Sequence, residues 1–259
     1  LSGTRPPAVG AAGLLMLADG RFPAGGHAHS GGLEAAVAAG RVRDTGGLEA
    51  FLRGRVATTG ATTAAFAAAA CAAFDDGAER GGDDPAGAGD GPVKGGDDPA
   101  GGGRGRIAAL DREFEARTPS PALRETSRRL GRQMLRAARA VRPHPGLTAL
   151  ADALPGGWHQ PVALGAAARA LGLGPGEAAS AALHDAATGP ATAAVRLLGL
   201  DPFAVHAVLA RLAPELDRLA VRAAGEADTP AGRLPSYGAP LLDIAAELHA
   251  TWEVRLFAS

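Results

Sequence analysis

The chain has 259 residues, 46% of them hydrophobic but only 4% aromatic, and a formal net charge of −1. That length supports one sizeable core or two small ones, and the near-neutral charge argues against the broad positive field of a dedicated nucleic-acid binder. With few aromatic and β-branched residues, the core must be built mainly from Ala, Leu and Val, which favours helix packed on helix.

A short apolar helix is predicted over Gly10 to Ala18, followed by a Gly- and Pro-rich loop through Asp19, Phe22, Pro23 and His29. A helix resumes near Gly32 and ends at Gly40, a suitable C′ glycine. Asp44 is the expected N-cap of the next helix, which carries Leu48, Phe51, Leu52 and Val56 and runs through the Ala-rich stretch to about Phe74. Cys71, the only cysteine, falls in that stretch and reads as a small buried thiol, so no intrachain disulfide or multi-cysteine metal site is expected.

Residues 75–104 differ in kind. GGDDPAG occurs at Gly81 to Gly87 and again at Gly95 to Gly101, within a segment of Gly, Asp and Pro too polar to offset its ordering entropy. The expectation is a flexible insert between two helices of one domain spanning 1–259. A helix over Gly105 to Arg117 follows, then a longer one over Ala122 to Val141. At about 100° per residue, Arg124, Arg128, Arg129, Arg132, Arg136, Arg139 and Arg142 fall within an arc of about 140°. That stripe is expected to be solvated or to meet an acidic protein surface, in preference to nucleic acid. Further helices are predicted at Leu147 to Leu154, His159 to Leu171, Pro175 to Ala187 and Ala191 to Leu198. Asp201-Pro202 starts another, which Pro214 should kink or divide, and Pro240 opens the last. The prediction is an all-α, bundle-like domain of about ten helices.

Little catalytic chemistry is visible. His27 and His29 form an H-x-H pair that could hold Zn²⁺ or Ni²⁺, but spacing fixes no third ligand, so neither a metal nor another cofactor is expected. There is no G-x-S-x-G elbow or G-x-x-x-x-G-K-[ST] loop, and Lys94, the only lysine, lies in the insert. His184, His206 and His249 stand on predicted helices without a histidine partner one turn away, while His144 and His159 sit at loop edges with no readable role. A start lacking a basic-then-apolar pattern, and no run of about 18 uninterrupted apolar residues, lead to the expectation of a cytoplasmic protein without a membrane span. Two other readings stay open: a metal-dependent enzyme using Asp19, His27 and His29, and a helical nucleic-acid-binding regulator using the arginine face.

The segment LLMLADGRFPAGGHAHSGGLE resembles the N-terminal signature of the urease accessory protein UreF family, with Asp19, Phe22, Pro23, Gly25, His29, Ser30, Gly32, Leu33 and Glu34 in the matching places. LDREFEART, RETSRRLGRQML, HQPVALGAAARALGL and TAAVRLLGLDPFAVHAVLARL resemble later family segments in order, as do His249 and the closing RLFAS. His27 replaces a usual aromatic residue, Ala250 a usual glutamate, and Ala258 a usually larger residue. The resemblance implies a non-catalytic, all-helical, commonly dimeric protein that bridges the UreD/UreH scaffold to the GTPase UreG while Ni²⁺ reaches apo-urease. It implies protein-interaction roles for Asp19, Phe22, Pro23, His29, Ser30, Leu33 and Glu34. The same holds for His249, Trp252, Arg255, Leu256, Phe257 and Ser259 in a 249–259 tail. Trp252, Val254, Leu256 and Phe257 with Arg255 are the mixture expected of an interface anchor, and the tail is expected to order on binding.

Overall fold

The computed structural model describes residues 10–74 and 102–257, and most of the 75–104 insert therefore lies outside the described residues. Among these are eleven α-helices and no strand: α1 Gly10–Ala18, α2 Leu33–Ala38, α3 Thr45–Arg55, α4 Ala61–Ala73, α5 Gly102–Ala116 and α6 Pro121–Val141, then α7 Pro145–Ala153, α8 Gln160–Ala170, α9 Pro175–Leu198, α10 Pro202–Gly225 and α11 Pro240–Ala250. A π turn over Val56–Gly60 joins α3 to α4, so the two form one continuous rod. The fold is all-α, as the composition requires.

The rod is the axis of the molecule. Along α4 eleven residues are buried, among them Phe66, Cys71 and an almost unbroken run of alanines. It packs against α8, α9, α10 and α5. Thr45–Ala73 is long and apolar enough to cross a membrane by length and composition, yet 72% of its apolar window is covered by the rest of the protein. It is a core helix. Burial also pushes the Cys71 thiol up to about 12.

Small residues set how closely the helices approach. A Cβ added to Gly165 on α8 would stand 2.3 Å from the Ala67 carbonyl oxygen and 2.7 Å from the Ala70 Cβ on α4. One added to Gly131 on α6 would overlap the Trp158 carbonyl. The large side chains cluster where this contact opens: Phe66 meets Phe114 edge-on at 5.3 Å, and the Arg117 guanidinium lies over the Phe66 ring.

Several starts match their sequence signals. Asp44 accepts from Gly47 N–H, Ser120 from Leu123 N–H, and Asp201 from Phe203 and Ala204 N–H. Three features differ. The helix after the insert begins at Gly102, three residues earlier than predicted. Pro175–Leu198 is one helix, not two, although Pro190 lies inside it. Proline there removes the N–H that would reach the Ala186 carbonyl, and the Arg55 Nε–H takes that carbonyl instead at 3.1 Å. Pro214 likewise leaves α10 undivided, and there the freed Ala210 carbonyl belongs to an exposed residue that water can reach.

Gly165→Ala is expected to force α8 off α4 and to lower stability by about 1–3 kcal/mol, read by denaturant unfolding. Gly54→Ala, at a site with open space around it, should instead leave stability unchanged or raise it.

Candidate functional site: a carboxylate joining the N-terminal loop to the C-terminal tail

The N-terminal motif builds a compact turn. Asp19 Oδ1 accepts from Arg21 N–H at 2.9 Å, and its carbonyl accepts from Phe22 N–H at 2.8 Å. Phe22 drops into the main core while Pro23 stays exposed. Gly25, Gly31 and Gly32 have φ of +84°, +60° and +90°, values a side chain would strain. They carry the chain through the 3₁₀ turn Gly26–Ala28 and into α2. Arg55 fastens the loop, donating from one guanidinium nitrogen to the Gly31 carbonyl at 2.8 Å while Nε holds Ala186. Burial lowers the affinity of Arg55 for its proton and raises that of the facing Asp185 carboxyl, each opposed by the other's charge. Asp185 is wrapped by protein yet keeps accessible surface, because it faces a cavity of about 200 Å³ also reached by His29, Arg55 and His249.

Glu34 is the meeting point of the loop before α2 and the segment that follows α11. Its N–H donates to Ser30 Oγ at 3.3 Å, and both residues are buried. The carboxylate accepts three donors from the C-terminal segment: His249 Nε2–H at 2.8 Å, Leu256 N–H at 2.9 Å and Phe257 N–H at 3.1 Å. An ionised carboxylate only accepts, so His249 presents its Nε2 proton. Side chains 8% and 4% exposed make Glu34–His249 a desolvated pair whose loss leaves a buried group unpaired. The Trp252 ring lies tilted against His249 with centroids 4.8 Å apart, and Phe257 enters a second core cluster with Leu33, Leu48, Leu52 and Val208.

The sequence-selected residues therefore divide. Phe22, Ser30, Leu33, Glu34, His249 and Phe257 are buried and act as the frame. Asp19, Pro23, Arg255 and Leu256 are exposed, Trp252 is half-buried, and Ser259 and the side chain of His27 lie outside the described residues. His29 lies 3.4 Å from an Arg129 nitrogen. The expectation of a tail that orders only on binding is not met: residues 251–257 are already seated, because Glu34 supplies the polar partners that a free terminus lacks. Val254 and Leu256, 84% and 72% exposed, are left facing outward. Among the described residues, no three His, Cys, Asp or Glu side chains gather as metal ligands.

One cluster escaped the sequence reading. His159 is fully buried, its N–H takes Asp111 Oδ1 at 2.8 Å, and its Nε2 meets Glu115 Oε2 at 2.7 Å. Arg128 pairs with Asp111 at 3.2 Å and Glu115 at 2.6 Å, and Arg124 with Glu115 at 3.3 Å. Part of the arginine stripe is thus sewn to α5 and not solvated. The signal was present as Asp111/Glu115 and Arg124/Arg128, each one helical turn apart on adjoining helices. Burial lowers the His159 pKa against the pull of Asp111 and Glu115, and its Nδ1 is buried without a partner. Burial would raise Glu115, but its hydrogen bonds to His159 and Arg128 hold it below the usual carboxylate range.

The UreF family model matches residues 42–213. The urease accessory protein UreF of Mycobacterium sp. (strain JLS) is 42% identical over 246 residues, 95% of this chain and 97% of that protein. The proteins of the same name from Mycolicibacterium vanbaalenii and Mycobacterium tuberculosis (strain H37Rv) are 42% and 38% identical, again over 95% of this chain and 97% of theirs.

Glu34→Ala should cost about 3–5 kcal/mol and release the tail, seen as accelerated amide exchange at Leu256 and Phe257 while the α4 amides stay protected. A second expectation concerns pH. Both His159 and Glu115 have lowered folded pKa values, so the unfolded chain binds more protons. Their contribution is complete above the unfolded histidine value of about 6.5 and is lost progressively as pH falls through it and then through the carboxylate range. The melting temperature should drop with acidification from neutral pH, and His159→Leu should flatten the part of that fall nearest neutrality.

Proposed function

The chain belongs to the UreF family of urease accessory proteins, and from that premise we propose that it works as a non-catalytic, homodimeric adaptor in the cytoplasm. It bridges the UreD/UreH scaffold and the GTPase UreG, with Ni²⁺ as the cargo delivered to apo-urease and not as a resident cofactor of this chain. The observation that carries this reading is the seated tail. Glu34 fixes the backbone of Leu256 and Phe257, and the chain leading to them points Val254, Arg255 and Leu256 outward. On the preceding helix Leu241, Ile244 and Leu248 form an exposed apolar line, at 66%, 58% and 60% exposure.

A rigid apolar edge with an arginine at its centre is the composition of an interface hot spot, and pre-ordering it lowers the entropy cost of docking. The loop side contributes Pro23 and Asp19 at the surface, braced by Phe22 within. In this arrangement the buried members of the motif set the shape, and the exposed members meet the scaffold.

Co-purification with UreD/UreH and UreG, with urease activation as readout, tests the proposal. Removal of residues 252–259 should abolish scaffold retention. The double variant Val254→Asp/Leu256→Asp leaves Glu34 its backbone donors, and should weaken scaffold binding by at least about 2 kcal/mol, roughly thirtyfold, without changing the unfolding curve. Full retention of the scaffold by a folded double variant would overturn the assignment of the tail.

A further inference from the structure

The groove between α6 and the turn that follows α7 is not used by the tail or by the Glu34 joint. Arg129, Arg132, Arg136 and Arg139 line it around a volume of about 400 Å³, and Asp152 is the one carboxylate on its wall. Trp158, only 6% exposed, and Leu154 close its apolar side. Arg132 donates to the Gly156 carbonyl and Arg129 stands beside His29. Among the described residues Arg136 and Arg139 have no ion-pair partner. Four cations spaced three and four residues apart on one helix face repel one another unless counter-charge is brought to them.

The position of Phe74 indicates where that charge comes from. At the end of α4 its ring lies 5.6 Å from the His144 ring, and its Cζ is against Gly146. The chain therefore leaves the described structure at the junction of α6 and α7, the end toward which the arginine row runs. From Arg142 back to Arg129 is about 20 Å at 1.5 Å per helical residue. The 27 residues of 75–101 can reach about 45 Å out and back at roughly 3.3 Å per residue. They carry eight Asp and Glu against one Arg and one Lys, and four of the eight are the Asp83-Asp84 and Asp97-Asp98 pairs of the duplicated GGDDPAG.

We propose that the arginine groove of α6 is the docking surface for the chain's own acidic 75–101 segment, with the duplicated aspartate pairs supplying the counter-charge. The duplication then has a physical consequence: two tethered copies raise the local carboxylate concentration at the groove above that of one. The contact is electrostatic and exposed, and is therefore salt-sensitive.

The test places a nitroxide at Ala88→Cys in the full chain, where the buried Cys71, with its thiol pushed up to about 12, does not compete for labelling. Amide signals of Arg132, Arg136 and Arg139 should be lost at low salt. They should return at about 1 M sodium chloride, where the Debye length is about 3 Å. They should also return in the labelled Asp83→Asn/Asp84→Asn/Asp97→Asn/Asp98→Asn chain. Arg136→Gln/Arg139→Gln, which removes groove charge without touching the segment, should restore the Arg132 signal. Unbroadened α6 amides at low salt would overturn the proposal, as would broadening that neither salt nor these variants relieve. Broadening of an unlabelled isotope-enriched chain by a labelled natural-abundance chain would overturn it in favour of a second copy as the occupant.

Discussion

The fold depends on how closely helices can approach when their facing side chains are almost nothing. α4 presents alanine on nearly every side, and α8 answers with Val162, Ala163, Gly165, Ala166 and Ala167. Contact at that range replaces the area that aromatic residues would supply, since dispersion depends on many atoms at near-optimal distance. The cost is intolerance. A helix pair seated on Gly165 has no flexible side chain that can yield, because the opposing atoms are backbone. Large residues enter where the helices stand further apart, as where Phe66, Phe114 and Arg117 meet between α4 and α5.

Polar ties fix what such a smooth core leaves undetermined. Alanine surfaces slide more readily than interlocked large ones, so register has to come from elsewhere. Three buried or half-buried groups supply it. Arg55 joins the loop before α2 to the proline site of α9. Glu34 joins α2 to the last residues of the chain. Asp111 and Glu115 join α5 to α6 and to the start of α8 through Arg128 and His159. The Arg55 and Glu34 ties reach segments 131 and more than 200 residues away, whereas Asp111 and Glu115 bind the neighbouring α6 and the start of α8.

This explains which parts of the protein were legible in its sequence. Caps, proline starts and apolar periodicity are local, and they placed Asp44, Asp201, α6 and α10 closely. Pro175–Leu198 is one helix where two are expected from local pattern, because the Ala186 carbonyl freed by Pro190 is satisfied by a guanidinium 131 residues away in sequence. Family resemblance singled out Glu34 and His249, but neither it nor periodicity could say that Glu34 serves the tail. Nor could it show that Leu33 and Phe257 share a core cluster. His159 had no local pattern at all; its meaning comes from two carboxylates on another helix.

The same division separates frame from surface. A residue that must be buried to hold the shape cannot also be the atom a partner touches, so Glu34, His249 and Phe257 act through what they position. What they position is a short exposed edge of Val254, Arg255 and Leu256, in the segment that follows α11. The arginines that do not pair inward sit instead along the groove of α6 beside α7, where α4 releases the chain. The fold thus keeps an exposed apolar edge at one place and a row of exposed cations at another. The first is rigid because a buried carboxylate holds its backbone, whereas the second is responsive because exposed charges are screened and exchangeable.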